Sequence, residues 1–123
     1  MNHKQIKVTV TRQLPEPVET RMKELFDVNL SNSSTPLTRE QLLKTMKDCD
    51  VLVPTIGDKI DRNLIKESGK RLKLIANYGV GFDHIDVLNA SKKGITVTNT
   101  PNVLTEDTAD MAMALILIVP RRI

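Results

Sequence analysis

The chain has 123 residues, 40% hydrophobic and 27% charged, enough for one core without metal or disulfide staples and incompatible with disorder, collagen or a disulfide scaffold. Its net charge of +3 is spread over interleaved basic and acidic residues, and Phe26, Tyr78 and Phe82 are its only aromatics, which argues against a basic, base-stacking nucleic-acid face. The longest apolar run, Met111–Val119, is nine residues, about half of a bilayer span.

In chain order, a Val/Ile run over Ile6–Thr11 reads as the first strand, and Pro15 and Pro17 mark the start of a helix over Glu16–Leu25. A second strand is expected at Phe26–Leu30, then a polar turn from Ser31 to Pro36 and a helix over Thr38–Met46. The third strand, Val51–Pro54, is followed by a helix at Arg62–Ser68. The fourth, Leu72–Ala76, is followed by one at Ile85–Lys93, and Ile95–Thr98 is the fifth strand. Gly69 and Gly94 fall where helices should stop. Strands recur roughly every twenty residues, the length of a βα repeat with one crossover helix. Continuous apolar runs such as Val51-Leu52-Val53 suit buried parallel strands. The pattern predicts an α/β fold with a doubly wound, parallel five-stranded sheet, flavodoxin-like or Rossmann-like.

The last segment differs. Thr105 is placed to cap a helix running from Glu106 to Val119, with Glu106 and Asp107 in its first turn. From Met111 to Val119 this helix is apolar on every side, and such a helix needs cover on every side. One five-stranded domain covers a single face, so the sequence reads as the N-terminal part of a larger protein or half of an obligate assembly. Met111 and Met113 then read as interface packing. Met1–Gln5 is polar and has no signal-peptide pattern, His3 falls in a loose terminus, and the single Cys49 fits a reducing compartment. A cytoplasmic location is expected.

The main chemical signal is Leu72-Lys73-Leu74-Ile75-Ala76-Asn77-Tyr78-Gly79-Val80-Gly81-Phe82-Asp83-His84-Ile85-Asp86. A strand runs into a glycine turn that is expected to open a helix, offering backbone N–H groups to an anion. A dinucleotide fingerprint would need glycine at His84 and an acid near Asn99, so diphosphate binding is disfavoured and a carboxylate fits better. Asp83 and Asp86 suit either a carboxylate pair or, more ordinarily, an N-cap at Asp83 with Asp86 at N3. His84, on the first turn of the expected helix, is either a base or a surface or supporting group with no identifiable partner. Cys49 reads as a buried packing residue without a depressed pKa. No residue set has metal-ligand spacing, and no Ser/His/Asp or Cys/His constellation assembles.

From Ile75 to Asp86 the wording resembles the D-isomer-specific 2-hydroxyacid dehydrogenases, nearest the glyoxylate reductase branch. The match continues through Lys93-Gly94-Ile95-Thr96-Val97-Thr98-Asn99-Thr100-Pro101 and Thr108-Ala109-Asp110-Met111-Ala112 to Ala114-Leu115-Ile116-Leu117 and Arg121. Asp50-Val51-Leu52-Val53 and Lys59-Ile60-Asp61 add to it. The resemblance implies a substrate-binding domain over residues 1–101 and a crossover helix in 102–123 leading to a nucleotide-binding domain. It implies that the N–H groups of Val80 and Gly81 hold the substrate carboxylate, with Asn77 and Gly79 shaping the same wall. Thr55 and Ile56 face the cleft, Asn102 lies toward the substrate, and Thr108 lies toward the nicotinamide.

By the same resemblance, the full-length enzyme is a homodimer that transfers a hydride between NAD or NADP and a small 2-keto or 2-hydroxy acid. Its dinucleotide fingerprint and its catalytic arginine, glutamate and histidine come later than Ile123. None has a counterpart here, and His84 does not match the catalytic histidine. The chain alone is then expected to be inactive and to bind no cofactor. Pro120 departs from the family's helical pattern and should kink or end the last helix. A phosphoacceptor receiver is disfavoured by Thr11-Arg12-Gln13 and Pro54-Thr55, and an FMN carrier by Gln13-Leu14-Pro15. The runner-up is a non-catalytic small-carboxylate or partner-binding module of the same fold, because fold does not fix function.

Overall fold

The computed structural model describes residues 5–121, so the expectation for His3 lies outside the described residues. Five strands pair in one all-parallel sheet: β1 (Lys7–Val10), β2 (Asp27–Asn29), β3 (Val51–Val53), β4 (Leu74–Ala76) and β5 (Thr96–Thr98), in the order β2-β1-β3-β4-β5. Register follows the apolar centres, with Val8 opposite Val51, Leu52 opposite Ile75 and Ile75 opposite Val97. The connecting helices are α1 (Glu16–Leu25), α2 (Arg39–Asp48), α3 (Arg62–Glu67) and α4 (Val87–Lys92). This is the doubly wound α/β architecture expected from the spacing.

The core forms where the middle strands meet α2, α3 and α4. Leu52, Ile75, Met46, Leu64, Ile65 and Ala90 are all buried there, and Cys49 joins them as a packing residue. Burial pushes the Cys49 thiol up to about 11, so it is an inert group rather than a nucleophile. Local signals start the helices. Thr38 and Gln41 form a reciprocal capping box on α2, and the Asp61 carboxylate accepts from the Leu64 N–H at 2.9 Å to start α3. Gly69 and Gly94 take left-handed φ values of 81° and 83° just past α3 and α4, which explains glycine at both stops. Pro17 lies inside the first turn of α1, where its missing N–H costs no hydrogen bond.

Two expected caps are corrected. The helix after the glycine turn begins at Val87, two residues later than expected, and its N-cap is Asp86. The reason is tertiary: Ile60 and Ile85 form a parallel bridge, with Ile60 N donating to His84 O at 2.8 Å and Asp86 N to Ile60 O at 2.9 Å. That bridge pairs residues 84–86 with Ile60 ahead of the helix, so His84 lies outside it and Asp83 is not its N-cap. The last helix, α5, spans Thr105–Ile118, and its N-cap is Leu104, with Thr105 already helical and making no side-chain cap.

Pro120 sits in a 3-10 turn over Val119–Arg121, so the α-helix stops before it, as its missing N–H dictates. No residue of α5 is buried: Met111, Ile116 and Leu117 are 62%, 64% and 60% exposed. Among the described residues no helix is long and apolar enough to cross a membrane.

Candidate functional site

All strands are parallel, so their carboxyl ends share one edge. In this strand order, connections diverge on either side of the β1/β3 boundary, where doubly wound sheets leave a crevice. Three loops meet at that edge: Thr11–Leu14 after β1, Pro54–Asp58 after β3 and Asn77–His84 after β4. Tyr78 N donates to Pro54 O at 2.9 Å and joins the second and third.

The β3 loop is closed by a buried acid. Asp58 is 1% exposed, and its Oδ2 accepts from Thr55 N at 2.9 Å and from the Thr11 hydroxyl. Asp58 N in turn donates to Thr55 O at 3.0 Å. Thr55 is thereby held by its backbone, while Ile56 is turned outward and is 80% exposed. The second carboxylate oxygen, Oδ1, is buried with no hydrogen-bond partner among the described residues. Asp58 and Thr11 have no signal in the sequence, because they are 47 residues apart and only the β1–β3 pairing brings them together.

The glycine turn is organised by Asn77, itself only 3% exposed. Its Nδ2 donates to Gly81 O at 2.9 Å and to Gly79 O at 3.3 Å, and its Oδ1 lies 2.9 Å from His84 Nε2. Thr100 N also donates to Gly79 O at 3.0 Å, and Asn99 Nδ2 donates to Val80 O at 3.0 Å. These contacts hold three successive carbonyls against the protein. In a trans peptide the N–H points opposite to the C=O of the same unit. The N–H groups of Val80, Gly81 and Phe82 therefore point away from those partners, and among the described residues none accepts from them. A cluster of free backbone donors of this kind is an anion-binding concavity.

Beside the turn lies an open cleft of about 600 Å³, lined by Ile56, Lys59, Gly81, Asp83 and His84 among others. Burial lowers the His84 pKa below its ordinary 6.5, against the opposing fields of Asp58 and Asp83, so its ring is neutral at neutral pH. Its hydrogen bond to Asn77 supplies the partner that the sequence did not reveal. The N-terminus of α4 offers no anion site there, because the Asp86 carboxylate already accepts from Asn89 N at 3.1 Å. This overturns the expectation that the turn opens directly onto a helix start. The donors are those of the turn alone.

Six of the expected site residues thus meet at one edge: Thr55, Ile56, Asn77, Gly79, Val80 and Gly81. Asn102 and Thr108 do not line the cleft. Asn102, with a left-handed φ of 64°, borders a separate hollow at the start of α5 with Val103 and Glu106, and Thr108 is exposed on that helix. Asn99 was missed as a site residue, since only its hydrogen bond to Val80 reveals it. Among the described residues no group of three His, Cys, Asp or Glu side chains could hold a metal ion.

Residues 8–114 match the family model for the D-isomer specific 2-hydroxyacid dehydrogenase catalytic domain. Among similar proteins, the chain is 43% identical over 117 residues to a glyoxylate reductase of Korarchaeum cryptofilum and 47% identical over 118 residues to one of Thermofilum pendens. Each alignment covers 95% of this chain but only 35% and 34% of the relative, so the chain spans about a third of the length of these relatives. Among solved structures, a protein of Thermus thermophilus is 42% identical with a TM-score of 0.84, covering 95% of this chain and 37% of that one. An NADPH-dependent glyoxylate/hydroxypyruvate reductase of Sinorhizobium meliloti, solved with NADP and malonate, is 31% identical with a TM-score of 0.70, over 92% of this chain and 34% of that one.

Proposed function

The chain belongs to the D-isomer specific 2-hydroxyacid dehydrogenases, and we propose that it forms the substrate side of an NAD(P)-dependent oxidoreductase acting on a small 2-keto or 2-hydroxy acid of the glyoxylate or hydroxypyruvate kind. One observation carries this reading. Among the described residues, Val80, Gly81 and Phe82 have N–H groups without acceptors, on a turn whose carbonyls are held inward by Asn77, Asn99 and Thr100.

On this reading the donors of Val80 and Gly81 take the substrate carboxylate. Fixed backbone dipoles suit that task, since they need no reorganisation when the anion arrives. The outward Ile56 lines the facing wall of the cleft, next to Thr55, whose backbone Asp58 holds. A short 2-carbon or 3-carbon acid matches a site bounded by two such loops. Asn102 and Thr108, at the start of α5, are assigned to the approach toward the second domain. Residues 1–101 would be the substrate domain and 102–123 the connection.

The described residues do not fit a dinucleotide. His84 stands where a third glycine would be needed, and the Asp86 carboxylate, itself an anion, occupies the Asn89 N–H at the start of α4. α1 begins with Glu16 and Glu19 in its first turn, which repel a diphosphate. The nicotinamide site, the proton-transferring histidine and the arginine are therefore assigned to the part of the enzyme that this chain does not span.

The test is a titration of the isotope-labelled chain with glyoxylate, followed at each backbone amide. Shifts centred on Val80, Gly81 and Phe82, absent with the uncharged glycolaldehyde, are the expected result. No response at these amides to any small 2-keto acid would remove the turn from the substrate site. A response without turnover in the whole protein would favour the non-catalytic carboxylate-binding module.

A further inference from the structure

The proposed function gives His84 no role, yet among the described residues it is the one titratable side chain hydrogen-bonded to Asn77, which organises the turn. The Asn77 amide lies between three partners. Two are carbonyl oxygens, Gly79 O and Gly81 O, which only accept, so the atom facing them must be the NH2 group. The remaining amide atom, Oδ1, only accepts as well, and it faces His84 Nε2 at 2.9 Å. A neutral imidazole carries its proton on one nitrogen alone, so that nitrogen must be Nε2. With the amide reversed, oxygen would face two carbonyl oxygens with no proton between them. The arrangement has a single consistent proton assignment.

We propose that His84 is a positioning residue for the carboxylate-binding turn, donating its Nε2–H to Asn77 and so locking the amide in the orientation that holds the Gly79 and Gly81 carbonyls inward. Gly79 O has a second donor in Thr100 N, but Gly81 O has only Asn77 among the described residues. The Gly81 carbonyl and the Phe82 N–H of the same peptide unit are thus the part of the turn that depends on this lock. His84 never touches the ligand carboxylate in this account. It acts through Asn77, whose buried amide is left with a free acceptor whenever the donor is removed.

This inference rests on the turn being the carboxylate site, and two separate readouts divide the possible failures. The first needs no ligand: the imidazole nitrogen and carbon-bound proton correlations of the labelled 123-residue chain at neutral pH report the tautomer. His84 in the Nε2–H form is expected, and an Nδ1–H form would overturn the lock whatever the turn binds. The second is the glyoxylate titration, repeated for His84→Ala, His84→Gln and His84→Asn.

His84→Ala should weaken binding about tenfold, the equivalent of one lost hydrogen bond. His84→Gln places an N–H donor where Nε2 stood and should restore binding to within about twofold. His84→Asn, one methylene shorter, should not. Equal binding in all four proteins would overturn the positioning role while leaving the substrate site intact. Loss in the Gln variant with its fold preserved would overturn it as well. Should His84→Ala fail to fold, the Gln and Asn pair and the wild-type tautomer still decide the question. A wild-type chain with the Nε2–H tautomer but no glyoxylate response would instead sink the substrate reading.

Discussion

The Asp58 carboxylate, at the end of the β3 loop, accepts a hydrogen bond from the Thr11 hydroxyl at the end of β1. The same oxygen takes the Thr55 N–H, so one buried group ties the two strands across the boundary where the crevice forms. Removing it strands the buried Thr11 hydroxyl and the half-buried Thr55 N–H at once. Asp58→Ala is expected to cost about 2–3 kcal/mol of unfolding free energy, the penalty for leaving the Thr11 and Thr55 groups unpaired. Asp58→Asn keeps an acceptor for both and is expected to be milder. Urea unfolding of the three proteins checks the order. An Ala variant as stable as the wild type would mean that the loop closes without this acid.

At Gly81 the fold and the site should separate. A Cβ built there meets nothing within 4 Å, and its backbone is not left-handed. Gly81→Val should therefore change stability by no more than about 0.5 kcal/mol. The added branch stands beside the free N–H groups, so the glyoxylate response of the turn should disappear. In the whole enzyme, turnover should fall far more than NADH affinity. Equal losses in both would point to misfolding, and an unaffected enzyme would exclude the turn from substrate binding.

The outer helix α5 makes a third expectation. Its apolar residues, among them Met111, Leu115, Ile116 and Val119, are exposed on all sides. Contiguous apolar surface of this kind marks an interface or an aggregation liability. The 123-residue chain should therefore self-associate in sedimentation experiments, and removal of residues 103–123 should give a monodisperse domain with the sheet intact, since β5 ends at Thr98. A monomeric full chain with no gain in solubility on truncation would mean that α5 finds cover on its own domain.

Two pH effects of known sign follow from the titrating groups. Burial depresses the His84 pKa below 6.5, so on acidification the unfolded chain takes up that proton first. The His84 contribution to stability is complete above pH 6.5 and is lost as pH falls from 6.5 toward the lower folded value. Asp61 is held at about 2 by its hydrogen bond from Arg39 and then by the Leu64 N–H, so its contribution is complete above 3.8 and is lost as pH falls toward 2. Thermal melts of the wild type and His84→Gln between neutral and mildly acidic pH check the first. A wild type whose melting temperature shows no greater acid sensitivity than the variant's would contradict it.

Much of the fold was legible because parallel strands buried on both faces are written as short apolar runs. Val51-Leu52-Val53 and Leu74-Ile75-Ala76 form strands within those runs, and the helix stops at Gly69 and Gly94 follow from the left-handed backbone that glycine alone adopts at low cost. The helix over Glu16–Leu25 has the bounds its pattern predicts. The candidate site was legible only along the chain. Asn77, Gly79, Val80 and Gly81 stand together in one motif, and Thr55 and Ile56 entered through resemblance to a family.

Sequence by itself determined the element order, the glycine turn and the family, since each is carried by residues within a few positions of one another. Tertiary structure decided what caps, clamps and closes. Asp83 and Asp86 satisfy the local capping pattern equally well until the Ile60–Ile85 bridge pairs residues 84–86 with Ile60, which moves the helix start to Val87. His84 acquires its partner only because the turn folds back on Asn77, and Asp58 meets Thr11 only because β3 pairs beside β1. These contacts depend on which loops the parallel sheet brings to a common edge. A propensity or spacing rule sees only neighbours along the chain, so none of them can be read from the sequence.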